Sequence, residues 1–187
     1  LPSNLKVFLF LTKILYRKTK KILYGIFFEK KWNVGTYPMP RDFQSNILLD
    51  PNKINIFNIN GNYTFYADPF FSSNLDKVRV EALNKRNGIG DILEIDLINK
   101  DFSKVILSGN HYSYPHSFKH ENKEYLLPEV ASHSAQYCIP LDSQNSEKIY
   151  LEGLESKRIV DATLFKKDNI FFIFFCEKDD ESNVLKL

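Results

Sequence analysis

Acidic residues recur at near-equal intervals along this 187-residue chain. Asp68, Tyr114 and Asp161 are 46 and 47 residues apart, and Glu81, Glu129 and Glu177 are each 48 apart. Carboxyl groups gathered in one pocket accept hydrogen bonds from many hydroxyls, and beside a flat aromatic surface they suit sugars. Two of them, one protonated and one ionised, can also cleave a glycosidic bond; inverting cleavage sets them about 6.5–9.5 Å apart. Asp68, Glu129 and Asp161 are the candidates for acid–base chemistry. Tyr114, His116, Glu81 and His133 are the candidates for substrate contact.

The same residues also have structural readings, and these stay open. Asp before Pro, as in Asp68-Pro69, is a turn device, and a repeated Asp can tie one repeat to the next. Glu81 and Glu177 can serve as partners of backbone donors. His111, His116 and His120 can be polar turn and pocket residues. His111, His116 and His120 fall within the spacing of paired zinc ligands. No Cys pair accompanies them, and His116 and His120 fall on a strand and its turn, so no metal and no cofactor is expected. Trp32 reads as core. There is no phosphate-binding Gly-rich loop and no Gly-x-Ser-x-Gly.

The elements that would position these groups form an internal repeat. One segment runs from Ala67-Asp68-Pro69-Phe70-Phe71 to Glu81, the next from Ser113-Tyr114-Pro115-His116-Ser117-Phe118 to Glu129, and the third from Val160-Asp161-Ala162-Thr163-Leu164-Phe165 to Glu177. Each reads as a short strand, a polar turn and an apolar strand ending in the Glu. Third strands are expected at Asp91–Leu97, Gln136–Leu141 and Val184–Leu187, and fourth strands at Lys104–Leu107 and Lys148–Leu151. Four strands per repeat at a period in the forties is the signature of a β-propeller blade. Short aromatic runs such as Ile170–Phe175, bounded by turn residues, argue against a helical repeat, and a β-sandwich would need no repeat. Residues 32–187 hold roughly three and a half such blades, and a closed propeller takes four to eight. The remaining blades are expected in sequence beyond this chain.

Taken in order, Lys31-Trp32-Asn33-Val34-Gly35, Tyr66-Ala67-Asp68-Pro69-Phe70-Phe71, Val80-Glu81, Ser113-Tyr114-Pro115-His116-Ser117-Phe118, Tyr125-Leu126-Leu127-Pro128-Glu129 and Asp161-Ala162-Thr163-Leu164-Phe165 resemble the N-terminal domain family of glucosamine inositolphosphorylceramide transferase. That family is in turn similar to the five-bladed propellers of arabinanase- and xylosidase-type glycoside hydrolases. The resemblance implies an all-β, five-bladed β-propeller, incomplete in this chain and preceded by a basic N-terminal helix. It implies Asp68 as general base and offers Glu129 as general acid. Tyr114 stands where those hydrolases carry a pKa-tuning Asp. The implied function is a carbohydrate-related module of a glycan-synthesising or glycan-modifying protein, recognising a sugar or glycolipid. An active glycoside hydrolase or glycosyl-transferring enzyme, and a non-catalytic scaffold, are the alternatives.

Charge divides the chain. Residues 1–31 carry eight Lys/Arg and one acid, Glu29, whereas residues 32–187 carry 17 Lys/Arg and 22 Asp/Glu. A body of negative balance does not suit phosphate neutralisation, so nucleic acid is not an expected partner. In residues 4–31 apolar side chains recur at helical spacing, at Leu5, Phe8, Leu9, Leu11, Ile14, Leu15, Ile22, Leu23, Ile26 and Phe27. Lysines and an arginine interrupt them, well short of the roughly 20 apolar residues of a spanning helix. The segment is expected to be either a linker helix packed on a neighbouring domain or on the body, or an interfacial helix in peripheral contact with an anionic membrane. Cys138 and Cys176, in strand-like apolar runs, are expected as buried thiols of a reducing, cytoplasmic compartment.

Overall fold

The computed structural model describes residues 3–27, 32–39, 49–99, 103–141, 147–178 and 185. The chain divides into two compact segments, Leu1–Lys31 and Trp32–Leu187. The first contains the helix α1, Asn4–Phe27, none of whose residues is buried. No described helix is long and apolar enough to cross a membrane.

The second segment is built from antiparallel sheets. A short pair joins β1 (Gly35–Thr36) to β2 (Asn55–Ile56). A four-stranded meander follows, β3 (Tyr63–Phe71), β4 (Lys77–Asn84), β5 (Gly90–Asp96) and β6 (Ser103–Leu107). A second meander contains β7 (Ser113–His120), β8 (Lys123–Glu129), β9 (Tyr137–Pro140) and β10 (Ile149–Tyr150). The hairpin β11 (Ile159–Lys167) and β12 (Ile170–Glu177) forms the fourth sheet. The repeat and its order of strands are therefore present. Among the described residues no sheet is closed on itself. The third strand expected at Val184–Leu187 lies outside the described residues except for Leu185.

Turn chemistry sets the hairpins. Glu121-Asn122 and Asp168-Asn169 close β7–β8 and β11–β12 as two-residue turns. All four residues have positive φ, between 45° and 64°, as a type I′ turn requires. Apolar faces then pack sheet on sheet. Val34, Phe57, Tyr66, Val78, Val80 and Leu93 join the first pair to the first meander. Ile92, Tyr112, Leu126, Val130, Tyr137 and Ile139 join the two meanders. Leu127, Cys138, Ile159, Ala162 and Phe175 join the second meander to the last hairpin.

Two readings of the sequence need correction. Trp32 is 63% exposed: its neighbour Val34 takes the buried position, while Trp32 contributes its backbone carbonyl to the Tyr66 N–H. Cys138 is buried, but Cys176 is only half-buried; both are free thiols.

A polar staple crosses the interface between the two meanders. Arg79 on β4 is 2% exposed. Its guanidinium donates to Glu94 on the neighbouring strand β5 and, across the sheets, to Ser117 on β7 and Glu124 on β8, at 2.7–3.1 Å. Burial alone would raise the Glu124 carboxyl, but the Arg79 hydrogen bonds and charge, with the Ser73 N–H, hold it at about 2. Removing one partner of such a buried network strands the others, so Arg79→Met should cost about 3–5 kcal/mol in urea unfolding. The folded value of Glu124 lies below its ordinary 4.5, so its contribution is full above that pH and is lost as pH falls toward 2. This acid limb should flatten in Arg79→Met. A loss below about 1 kcal/mol would show the staple to be dispensable.

Candidate functional site

The first strand of each repeat carries the same distortion. Asp68-Pro69 on β3 together oppose Val80, Tyr114-Pro115 on β7 oppose Pro128, and Asp161-Ala162 on β11 oppose Phe175. Each is a β-bulge of two residues against one. The first residue of each pair is left-handed, with φ of 46° at Asp68, 47° at Tyr114 and 54° at Asp161. Proline suits the second position in two of them because a bulge releases a ladder hydrogen bond. A non-glycine residue held left-handed costs about 1–3 kcal/mol and tends to mark a functional position.

The bulges turn their carboxylates toward one another. Asp68 accepts the backbone N–H of Tyr114 and shares a hydrogen bond with Glu81. Glu129 accepts the backbone N–H of Asp161 at 3.3 Å and a hydrogen bond from the Ser113 side chain. In both cases a carboxylate of one repeat captures the N–H of the left-handed residue in the next. Asp161 lies close enough to raise both Asp68 and Glu129 by its charge. Four carboxyl groups from three repeats thus share one cluster. Asp68 and Asp161 are exposed, Glu129 is half-buried and Glu81 is buried.

Burial and mutual repulsion make this cluster hold protons. Burial, then the charges of Asp68 and Glu129, then the Asp68 hydrogen bond push Glu81 up to about 7. Burial foremost also raises Glu129 and Asp68. Gly90 makes room for the arrangement: a Cβ there would collide with the Tyr112 carbonyl oxygen and come within 2.8 Å of Glu81 Oε1.

An aromatic wall adjoins the acids. The Phe70 ring meets Tyr114 edge-on at 4.8 Å and His116 at 5.3 Å between centroids. The Tyr114 hydroxyl bonds Thr163 Oγ1 at 2.9 Å. His116 Nε2 accepts the Leu164 N–H at 3.2 Å, so the neutral ring carries its proton on Nδ1. Burial lowers the pKa of this imidazole. Its Nδ1 is buried without a hydrogen-bond partner among the described residues.

The structure therefore brings together Asp68, Glu81, Glu129 and Asp161, with Tyr114 and His116 nearby on β7. His133 stands apart from the carboxylates. It is exposed, pairs with Ser132, and meets Tyr112 edge-on at 5.1 Å. It lines a separate groove of about 380 Å³ with Glu155, Lys157 and Arg158.

Glu177 is not the counterpart of Glu81 and Glu129. Ala67 pairs with Glu81 and Ser113 with Glu129, but Val160 pairs with Cys176. Fifteen residues separate Tyr114 from Glu129 and Asp161 from Cys176, so the equal 48-residue spacing overshoots by one, and one step along a strand reverses the face. Glu177 binds Lys157 at 2.8 Å instead.

Phe70, Ser113 and Gly90 were not singled out by residue type. Phe70 and Ser113 lie inside the repeated motifs, and that recurrence was the available signal. Among the described residues no group of three or more His, Cys, Asp or Glu is placed to hold a metal ion. What the arrangement offers is acceptor oxygens, a protonated carboxyl and an aromatic wall, open to solvent at Asp68 and Asp161. The chain has no significant match to any family model, curated protein or solved structure.

Native Glu81 binds its proton more tightly than an unfolded Glu, whose ordinary value is 4.5. Its stabilising contribution is therefore full below that pH and is lost as pH rises to about 7. Glu81→Gln should remove this slope and, above neutrality, make the protein more stable than the wild type by up to roughly 3 kcal/mol. Thermal unfolding from pH 5 to 8 checks it; identical slopes in the two proteins would refute the shared proton. Gly90→Ala should destabilise by about 1–3 kcal/mol in the same assay.

Proposed function

We propose that residues 32–187 are part of a β-propeller that recognises a sugar or glycolipid within a larger glycan-synthesising or glycan-modifying protein. One observation carries the reading: carboxyl groups from three successive repeats converge beside the Phe70–Tyr114–His116 wall. Sugar hydroxyls donate to the carboxyl oxygens of Asp68, Asp161 and Glu129, and C–H faces of a pyranose stack on aromatic rings. The stacking of short antiparallel sheets through three successive cores supports the propeller, as does the motif order that resembles the transferase-associated family.

A second reading, glycosidic bond cleavage or transfer, is favoured by the raised pKa of Glu129 in the same cluster as Asp68. Glu129 would protonate the leaving oxygen and Asp68 would act as base. A glycan array followed by calorimetry on the whole chain separates the readings. Recognition predicts binding without turnover, weakened about tenfold to a hundredfold in Asp68→Asn and in Tyr114→Ala. Catalysis predicts aryl-glycoside turnover that vanishes in both Asp68→Asn and Glu129→Gln. Neither signal would leave the segment a scaffold and overturn the proposal.

A further inference from the structure

We propose that α1 is an interfacial helix whose partner is an anionic lipid bilayer. The inference is independent of the sugar-binding proposal. At about 100° per residue, Leu5, Phe8, Leu9, Leu11, Leu15, Tyr16, Ile22, Leu23, Ile26 and Phe27 fall within an arc of roughly 160°. No charged residue enters that arc. Lys6, Lys13, Arg17 and Lys21 lie on the opposite side, together with Val7, Phe10, Ile14 and Tyr24, and Lys18 and Lys20 sit at the two margins of the arc. The arc is solvent-exposed in the structure: Leu5, Phe8, Leu15, Ile22, Ile26 and Phe27 are each 62–72% exposed.

Charge complementarity selects the occupant. Across Asn4–Phe27 there are six Lys/Arg and no Asp or Glu. A helix that packs in a protein bundle commonly mixes both signs on its outer face, whereas this one presents cations alone. Nucleic acid would engage the cations but leave the apolar arc in water. A bilayer with anionic headgroups satisfies both faces at once: the arc sinks to the acyl boundary, and the long cationic side chains extend to the phosphates. The helix is about 36 Å long and lies in the plane of the surface rather than crossing it.

The test is co-sedimentation of the whole chain with vesicles of roughly three parts phosphatidylcholine to one part phosphatidylglycerol, against phosphatidylcholine alone. Binding is expected to the mixed vesicles, to weaken with added salt, and to be at least tenfold poorer on neutral ones. Replacing Lys13, Arg17, Lys20 and Lys21 by Gln should weaken binding about fivefold per cation removed. The triple variant Phe8→Ser, Leu15→Ser, Ile22→Ser keeps every charge and should also lose binding, with the thermal unfolding of residues 32–187 unchanged. Three outcomes would overturn the proposal: no binding to the mixed vesicles, undiminished binding by the triple-serine variant, or helix-dependent self-association that prevents vesicle binding.

Discussion

The bond on which the rest depends is a carboxylate accepting the backbone N–H of a left-handed residue one repeat further on. Asp68 does this for Tyr114 and Glu129 for Asp161. A β-bulge frees an N–H from its ladder and leaves that donor to find another acceptor. A charged acceptor answers that need strongly. The same bond sets how one sheet meets the next and draws acids from separate sheets into one place. The structural and functional readings of these residues are therefore compatible: a carboxylate that accepts one N–H retains further acceptor capacity.

Two buried acids show how partners decide charge. Glu124 lies against Arg79 and stays ionised at about 2, despite burial that opposes it. Glu81 lies against Asp68 and keeps its proton to about 7. Both belong to interfaces between repeats. The first is an ion network that joins two meanders. The second is a group of like charges that weakens the fold as pH rises, a cost that proteins commonly retain at sites of function.

Much of the architecture could be read along the chain because it is local. Hairpins, two-residue turns and recurrent motifs are properties of neighbouring residues, and the order of strands followed from them. The convergence of Asp68, Glu81, Glu129 and Asp161 was legible because a repeat places equivalent positions at equivalent places. Three things were hidden for physical reasons. The exchange of Glu177 for Cys176 is a one-residue matter of register, which equal spacing in sequence does not resolve. Arg79 looks like any strand arginine until Ser117 and Glu124, from another sheet, are brought to it. Trp32 has the composition of a core residue, yet Val34 occupies the buried position.

Cys176 gives the repeated scaffold an uneven surface chemistry. At the strand position where the first two repeats carry Glu81 and Glu129, the third presents a thiol, a weak hydrogen-bonding group. The bulge recurs in all three repeats, but at this position only the first two contribute a carboxyl. A molecule with polar groups along one edge would consequently meet a single preferred orientation instead of several equivalent ones, as happens when copies of a duplicated element diverge at one side chain and keep their shared backbone.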